Sequence, residues 1–202
     1  MVRFLAFSDH HADARLQTRM YDTAKKHSID LVFIPGDFSP HGEDQVPHGM
    51  VGPFLSLKSK VYVLHGNHET EASVRFVEQK YGLKPFEGFM HEGVGFFGAG
   101  GADIGPFPTS DVEIFETLKV SHDKIKGAKK KVMITHVHPS GSMIEQMCPV
   151  DGTGSDAVRK AIDTFKPDLV ICGHIHEAGG IEETIGKTKI VNIACTGKVF
   201  EL

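Results

Sequence analysis

Polar residues that could bind metal ions occur in five groups along the 202-residue chain. Each group directly follows a short apolar run: Ser8-Asp9-His10-His11, Gly36-Asp37, Gly66-Asn67-His68-Glu69, Thr135-His136 and Gly173-His174-Ile175-His176. A histidine beside a glycine is, by itself, more often an ordinary loop residue than a ligand. Five groups, each placed where a strand ends, instead favour one functional site to which all of them contribute.

These groups supply carboxylates, imidazoles and one amide oxygen, a mixture that suits first-row metals such as manganese, iron, cobalt, nickel or zinc. The same mixture argues against calcium, which takes oxygen ligands, and against a thiolate zinc site. Seven ligands of these types are present, too many for one ion but suited to two divalent ions that share a carboxylate and a bridging water. The two aspartates offset half of the +4 charge, so the site attracts an anionic phosphate and lowers the pKa of the water.

The elements that position these residues alternate between short apolar strands and amphipathic helices, which predicts an α/β fold. Helical spacing of apolar residues predicts helices over residues 14–27, 70–81, 110–125 and 156–165. Ser110 and Glu113 have the spacing of a capping box. Apolar runs predict strands over residues 2–7, 31–34, 61–64, 94–97, 131–135 and 169–172. Residues 181–202 are predicted to form two or three antiparallel strands, with turns at Gly186 and Gly197.

The composition predicts a globular protein, since 40% of the residues are hydrophobic and 24% are charged. No repeat, linker or low-complexity segment divides the chain, so we expect a single domain over residues 1–202. The apolar runs are too short to span a membrane, and Met1 leads into a predicted strand rather than a signal peptide. Three cysteines without a CxxC pair also favour a soluble cytoplasmic protein. Because the apolar runs are short, a membrane is not an expected partner. A net charge of -4 disfavours binding to a long polyanion, so nucleic acid is expected only as a small nucleotide.

The order of the motifs, D-x-H, then GD, then GNHE, then a lone histidine, then GHxH, resembles the calcineurin-like metallophosphoesterase family. The resemblance extends from Asp9 to His176, nearly the whole chain. It implies two mixed β-sheets packed face to face as a sandwich, with helices outside. It also implies two overlapping sets of ligands: Asp9, His11, Asp37 and His176 for one ion, and Asp37, Asn67, His136 and His174 for the other. His68 would then be the acid that protonates the leaving alkoxide or stabilises the charge that develops on the phosphate.

One departure from the family pattern bears on the substrate. The phosphoprotein phosphatases of this family read GDxVDRG after the second strand, with an arginine that binds a terminal phosphate, whereas this chain reads Gly36-Asp37-Phe38-Ser39-Pro40. Without a nearby arginine, a doubly charged monoester should bind less well than a diester. We therefore expect a small, cap-less phosphodiesterase that hydrolyses the P–O bond of a small phosphoester, with a metal-bridging hydroxide as nucleophile and His68 as acid.

Three alternatives stay open. The GNHE sequence is shared with the phosphoprotein phosphatases, which leaves a phosphomonoesterase as one of them. Proteins of this fold that have lost catalysis serve as scaffolds in larger assemblies, although the presence of His68 and of every expected ligand argues against that function. The third alternative is a single-zinc hydrolase in which some of the histidines are structural.

The other histidines near these motifs are weaker candidates. His10 and His65 are expected to pack against neighbours or to support a ligand. His138 is a candidate to line the pocket or to hydrogen-bond to phosphate. The loop residues His41, Glu43 and His48 are expected to face solvent, where loops of this kind can set specificity.

Overall fold

Two mixed β-sheets, packed face to face and covered by helices, make up the computed structural model of this protein. The structure describes residues 1–40, 42, 46–150 and 152–202. This architecture confirms the α/β sandwich that the sequence predicted. Within the described ranges, no helix combines the length and the apolar composition that crossing a bilayer would require.

Five strands form the first sheet: β1 (Arg3–Ala6), β2 (Leu31–Pro35), β3 (Lys60–Leu64), β4 (Lys84–Pro85) and β11 (Lys198–Glu201). Their order across the sheet is β11-β1-β2-β3-β4. Strands β1 to β4 are parallel, whereas β11 is antiparallel to β1. The carboxyl ends of β1, β2 and β3 therefore lie at the same edge of this sheet.

Six strands form the second sheet: β5 (Phe89–His91), β6 (Val94–Ala99), β7 (Lys130–Thr135), β8 (Leu169–Cys172), β9 (Glu182–Ile185) and β10 (Thr188–Asn192). Their order is β5-β6-β7-β8-β10-β9, with a parallel centre and an antiparallel strand at each edge. The adjacent strands β7 and β8 end side by side, so the residues that follow them are neighbours in space.

The helices are α1 (Ala14–Lys26), α2 (Glu71–Tyr81), α3 (Asp111–Asp123), α4 (Met143–Met147) and α5 (Asp156–Phe165). Apolar residues of α1 and α2 pack on the outer face of the first sheet, and those of α3 and α5 pack on the outer face of the second. Ser110 and Glu113 form the predicted capping box at the start of α3. Asp13 caps α1 by accepting hydrogen bonds from the backbone N–H groups of Arg15 and Leu16.

Aromatic side chains fill the space between the two sheets. The ring of Phe4 in β1 packs edge to face against Phe33 in β2, at 5.7 Å, and against Phe96 in β6, at 5.3 Å. All three side chains are buried, and burying each contributes about 1.5–3 kcal/mol. This apolar layer fixes the two sheets relative to each other, and with them the two halves of the candidate site.

The C-terminal strands differ from the expectation in their pairing. β9 and β10 form the predicted antiparallel hairpin, with Gly186 in the left-handed conformation at the turn. However, β10 also runs parallel to β8, and β11 crosses to the first sheet and pairs with β1. The pattern of apolar residues predicts these strands but not their partners, because pairing depends on residues far away in the chain.

Several short elements were not predicted from the sequence. They are β4, β5, α4 and the 3-10 turns at residues 48–50, 52–56 and 176–178. Elements of two to five residues are too short to show a helical or strand period. In the same loop region, His48 is exposed, as expected, while His41 and Glu43 lie outside the described residues.

Candidate metal centre

The five polar groups lie where the carboxyl ends of the strands in the two sheets meet. The groups that follow β1, β2 and β3 come from the first sheet, and those that follow β7 and β8 come from the second. The backbone N–H of His174 donates to both carboxylate oxygens of Asp9, at 3.2 and 3.1 Å. Nδ1 of His136 lies 2.9 Å from the carbonyl oxygen of Pro35. These contacts join the sheets at the site.

Asp9, His11 and His176 form the first group of possible metal ligands. Nε2 of His176 lies 3.4 Å from Oδ1 of Asp9 and 3.3 Å from Nε2 of His11. The Asp9 carboxylate is buried, whereas His176 is half exposed at the surface of the site. One carboxylate oxygen and two imidazole nitrogens thus face a common point that solvent reaches.

Asp37, His136 and His174 form the second group. The side-chain oxygen of Asn67 lies 2.9 Å from Nε2 of His136 and 2.9 Å from Nδ1 of His174, which adds an amide oxygen to this group. His136 is fully buried, and Asn67 is nearly so. The second group is therefore deeper than the first.

Asp37 connects the two groups. Its Oδ2 lies 3.7 Å from Nε2 of His11 in the first group and 3.5 Å from Nε2 of His136 in the second. Its other carboxylate oxygen accepts a hydrogen bond from the backbone N–H of His68 at 3.0 Å. The ring of His68 lies 4.8 Å from the ring of His11. All eight residues singled out in the sequence are thus brought to one place.

The hydrogen bonds of His11 and His136 leave the ring nitrogens that face the site able to bind a cation. A carbonyl oxygen only accepts, so Nδ1 of His136 donates to Pro35, and Nδ1 of His11 donates to Ser39 at 3.1 Å. In the neutral form of each ring, Nε2 then presents a lone pair to the site. Burial lowers the pKa of His136, but the charge of Asp37 outweighs burial and raises it, so Nε2 of the protonated ring donates to the oxygen of Asn67 at 2.9 Å. A divalent cation at this point would take the place of that proton and bind both atoms.

The backbone at the candidate ligands is strained. Among the described residues, nine that are not glycine have a left-handed backbone, and four of these are candidate ligands: Asp9, His11, Asp37 and His174. This conformation is uncommon for residues with a Cβ atom and persists only where the surrounding structure enforces it. The strain aims the side chains at a common centre.

Glycines in the motifs allow the loops to approach each other. A Cβ atom on Gly36 would lie 2.6 Å from Gly66 Cα and 2.6 Å from Nδ1 of His136. A Cβ atom on Gly173 would lie 2.4 Å from a carboxylate oxygen of Asp9. No side chain fits at either position, which explains why glycine precedes Asp37 and His174 in the motifs.

Charges within the site shift several pKa values. Burial raises the pKa of Asp9, but the hydrogen bond with His176 and the charge of His136 outweigh burial and lower it. The contact with Asp9 raises the pKa of His176. Burial lowers the pKa of His174 to about 3, and the neighbouring His136 adds to this shift. Asp9 is therefore ionised and His174 neutral at pH 7, the forms in which each can bind a cation.

Glu69 has a structural role that the sequence did not reveal. Its buried carboxylate accepts hydrogen bonds from the backbone N–H groups of Asp37 at 2.8 Å, Ser39 at 2.7 Å and Gly66 at 3.0 Å. Burial and the nearby charge of Asp37 raise the pKa of Glu69. These bonds tie the loop after β2 to the loop after β3 and so hold Asp37 in place. The only signal in the sequence was the position of Glu69 at the end of the GNHE motif.

Replacing Glu69 with glutamine is expected to lower the free energy of unfolding by about 1–3 kcal/mol, because an amide group replaces one acceptor and leaves a buried N–H unpaired. Chemical denaturation measures the loss. Glu71→Gln is the control, since Glu71 is exposed and its ion pair with a described residue is the one with Arg75 on the surface of α2. Equal losses in the two variants would contradict the role of Glu69.

The other histidines near the motifs lie in different surroundings. His10 is buried against Phe7, with ring centroids 5.8 Å apart, in agreement with a packing role. Nδ1 of His65 lies 3.2 Å from the carbonyl oxygen of Gly66. His138 is fully buried, and among the described residues neither of its ring nitrogens forms a hydrogen bond. Its ring lies 6.3 Å from the ring of the candidate ligand His174, and a role in the pocket or in binding phosphate stays a prediction.

Two arginines near the site were missed because the sequence pattern drew attention only to the segment after β2. A cavity of about 460 Å³ opens beside the first group, and Arg15 and Arg19 of α1 line its wall together with Asp9, His11 and His176. The two arginines are four residues apart and share one face of the helix. Their place on a helix that begins soon after His11 was the signal in the sequence.

Comparisons with solved structures agree with this fold. TT1561 of Thermus thermophilus is 16% identical with a TM-score of 0.69, and the alignment covers 96% of this chain and 90% of that chain. A dimetal phosphatase from Danio rerio is 10% identical with a TM-score of 0.63 and coverage of 96% and 88%. A structure described as a novel archaeal phosphodiesterase is 15% identical with a TM-score of 0.57 and coverage of 96% and 86%. At these identities the similarity shows a shared fold.

The family assignment comes from the sequence. Comparison with curated protein sequences gives no match. Residues 2–178 match the family model described as calcineurin-like phosphoesterase. This match covers most of the chain and includes both groups of possible metal ligands, so it confirms the resemblance seen in the motifs. The chain belongs to the family of calcineurin-like phosphoesterases.

Proposed function

We propose that this chain is a phosphodiesterase that uses two divalent ions, with His68 as its acid. The proposed ligands are Asp9, His11, Asp37 and His176 for one ion, and Asp37, Asn67, His136 and His174 for the other. The position of Asp37 carries the proposal, because its Oδ2 faces Nε2 of His11 at 3.7 Å and Nε2 of His136 at 3.5 Å. A carboxylate between two groups of ligands is what a pair of ions requires.

The residues of the chain hold the reacting groups in place. When bound, the two ions polarise the phosphoryl group and lower the pKa of a water molecule. The Nδ1–H groups of His11 and His136 donate to backbone carbonyls and keep each Nε2 aimed at the site. Nδ1 of His68 lies 3.0 Å from the carbonyl oxygen of Pro40. Nε2 of His68 is therefore the nitrogen free to pass a proton to the leaving oxygen.

Support for a diester substrate comes from the segment that follows β2. Phe38 and Ser39 are both fully buried beside Asp37, and neither is cationic. A doubly charged monoester would meet no guanidinium there, whereas a singly charged diester needs none. The expectation that no arginine lies near the site holds for this segment but is wrong for the cavity, because Arg15 and Arg19 of α1 line its wall beside the first group.

The first experiment compares the hydrolysis of bis(p-nitrophenyl) phosphate with that of p-nitrophenyl phosphate. Metal-stripped protein is refilled with manganese, nickel, cobalt, zinc or magnesium before each assay. We expect kcat/KM for the diester to exceed that for the monoester by roughly tenfold or more, the effect of one missing charge-assisted hydrogen bond. A higher value for the monoester would identify a phosphomonoesterase instead.

The same assay tests the scaffold alternative. Protein that binds metal but hydrolyses neither ester with any of the ions would be a non-catalytic member of the family. His68 and all seven proposed ligands are present and close together, and this supports an enzyme. The metal used in the cell is one of manganese, iron, nickel, cobalt or zinc in this proposal, because imidazole and carboxylate ligands suit all five.

The proposed substrate is a small phosphoester, small nucleotides included, and the proposed location is the cytoplasm. Cys148, Cys172 and Cys195 are free thiols, which is typical of a reducing compartment. The net charge of -4 supports a small substrate rather than a long nucleic acid.

A further inference from the structure

We propose that Arg15 and Arg19 bind a second phosphate group of the substrate, so that the preferred substrate is a phosphodiester that also carries a phosphomonoester. This inference rests on the phosphodiesterase function proposed above and names the class of its substrate. It assigns a specificity role to two residues outside the metal centre. Three observations support it. The two arginines line a cavity beside the metal centre, they form no ion pair with a described carboxylate, and a groove continues from this cavity along α1.

The inner cavity runs from the metal centre to α1. Its volume is about 460 Å³, and its wall includes His11, Asp13, Arg15, Arg19, His176 and Cys195. A second, shallower depression, the α1 groove, continues along the helix and is lined by Arg15, Thr18, Arg19, Asp22, Thr23 and Lys26. Arg15 and Arg19 line both the inner cavity and the α1 groove. A substrate bound at the first group of ligands therefore meets these two arginines as it extends outwards.

The two arginines differ from the others in the chain. Arg3, Arg75 and Arg159 each form an ion pair with a carboxylate. Among the described residues, no carboxylate lies within ion-pair distance of Arg15 or Arg19, and Asp13 in the same cavity wall interacts with the charge of Arg15 only at longer range. Arg19 is held by two backbone carbonyls, since its Nη2 donates to Cys195 at 3.3 Å and to Thr196 at 3.0 Å. Nη1 and Nε of Arg19 and the whole guanidinium of Arg15 form no hydrogen bond with any described residue.

The anion that suits this pair is a phosphate. Two guanidiniums four residues apart on one helix offer two planar forks, which match the several oxygens and the double charge of a phosphomonoester. The backbone N–H groups of Arg15 and Leu16 are not available, because Oδ1 of Asp13 accepts from both, at 2.7 and 3.3 Å. The binding would therefore depend on the two side chains.

The second phosphate belongs to the part of the substrate that does not leave. The inner cavity is lined by the first group of ligands, whereas the ring of His68 lies beyond His11, 4.8 Å from its ring, and bonds to Pro40 in the loop after β2. The leaving oxygen must be near that acid, on the side of His11 that faces this loop. The portion of the substrate that remains attached to the scissile phosphorus extends towards α1.

A matched pair of chromogenic substrates tests this inference. Deoxythymidine 5′-(p-nitrophenyl phosphate) and its 3′-phosphorylated form release the same phenol and differ only in the second phosphate. We expect the 3′-phosphate to lower KM about tenfold, with kcat within about twofold, because the added contact binds ground state and transition state alike. Arg15→Gln and the double variant with Arg19→Gln should remove most of this difference in KM.

The controls separate charge, folding and position. Lys25→Gln removes one positive charge from α1 at a residue that lines neither cavity and should keep the full difference in KM. Arg15→Gln is the decisive single variant, since no side chain of the described residues bonds to the Arg15 guanidinium and folding does not depend on it. Equal KM values for the two substrates, or equal losses on both in Arg15→Gln, would overturn the inference.

A binding measurement distinguishes failure of this inference from failure of the proposed function. Calorimetry compares deoxythymidine 3′,5′-bisphosphate with deoxythymidine 5′-monophosphate, both added to the metal-loaded protein. The bisphosphate should bind about tenfold more tightly, and Arg15→Gln should remove the difference, even if neither chromogenic ester is hydrolysed. Equal affinities alongside measurable diester hydrolysis would leave the phosphodiesterase standing and refute the role of the arginines.

Discussion

Replacing His68 with alanine is expected to lower kcat for bis(p-nitrophenyl) phosphate by a factor of about 100 to 10,000, the usual range for a general acid. The metal content should stay the same, because His68 contacts Asp37 through its backbone N–H at 3.0 Å, a bond that alanine keeps. Steady-state kinetics and elemental analysis of the same preparation measure both quantities. Unchanged metal content would assign the loss to the acid, whereas lost metal would make His68 a ligand, since His11, Asp37 and His68 also form a group that could hold an ion.

The leaving group distinguishes the two possible roles of His68. If the residue protonates the leaving oxygen, the loss in His68→Ala should grow as the p-nitrophenyl group is replaced by phenyl and then by an alkyl group, which are poorer leaving groups. If it stabilises charge on the phosphoryl oxygens, the loss should be equal for all three.

His27 provides the matched control for His68. It lies at the far end of α1, where its backbone, not its ring, forms the helix end and accepts from Arg3. His27→Ala should leave kcat unchanged. A rate in His68→Ala within about threefold of the wild-type rate for every leaving group would contradict the role of an acid.

Asp37→Asn is expected to abolish both metal binding and hydrolysis. The carboxylate faces one histidine of each group, so its loss weakens both sites at once. We expect bound metal to fall from about two equivalents to below one, and kcat/KM to fall on the order of 1,000-fold or more, since the ions supply several kcal/mol of catalysis. Elemental analysis after dialysis and steady-state kinetics measure the two effects.

The control for Asp37 is the same change at the other end of β2. Asp30 is exposed and directly precedes this strand, and Asp30→Asn should keep both metal and activity. Asparagine at position 37 preserves the shape of the side chain, so a folding defect is not expected. Two equivalents of metal retained in Asp37→Asn would show that the ions bind elsewhere.

The fold was predictable where a strand or helix carries its own pattern. The run at residues 31–34 corresponds to β2, and the Ser110 to Glu113 spacing marks the start of α3. Sheet membership was not predictable, because nothing within residues 198–201 indicates that β11 pairs with β1 at the opposite end of the chain. Elements as short as β4 lack any period to detect.

The site was predictable as a set of residues, because parallel strands end at the same edge and each motif follows a strand. The residues that support the candidate ligands could not be predicted from the sequence. Glu69 acts through backbone N–H groups of two loops, and such bonds leave no pattern in a sequence. Arg15 and Arg19 reach the cavity because α1 lies beside the loop that contains Cys195, a neighbour nearly the whole chain away.

The most direct test of two-ion catalysis is a titration of metal-free protein with manganese while hydrolysis of bis(p-nitrophenyl) phosphate is followed. Activity should rise until about two ions are bound per chain and then stay constant. Asn67→Ala, which removes an oxygen 2.9 Å from two candidate ligands, should bind about one ion and stay nearly inactive. Full activity of the wild-type protein at one ion per chain would contradict the two-ion centre, as would bound manganese, nickel, cobalt or zinc with no hydrolysis at all.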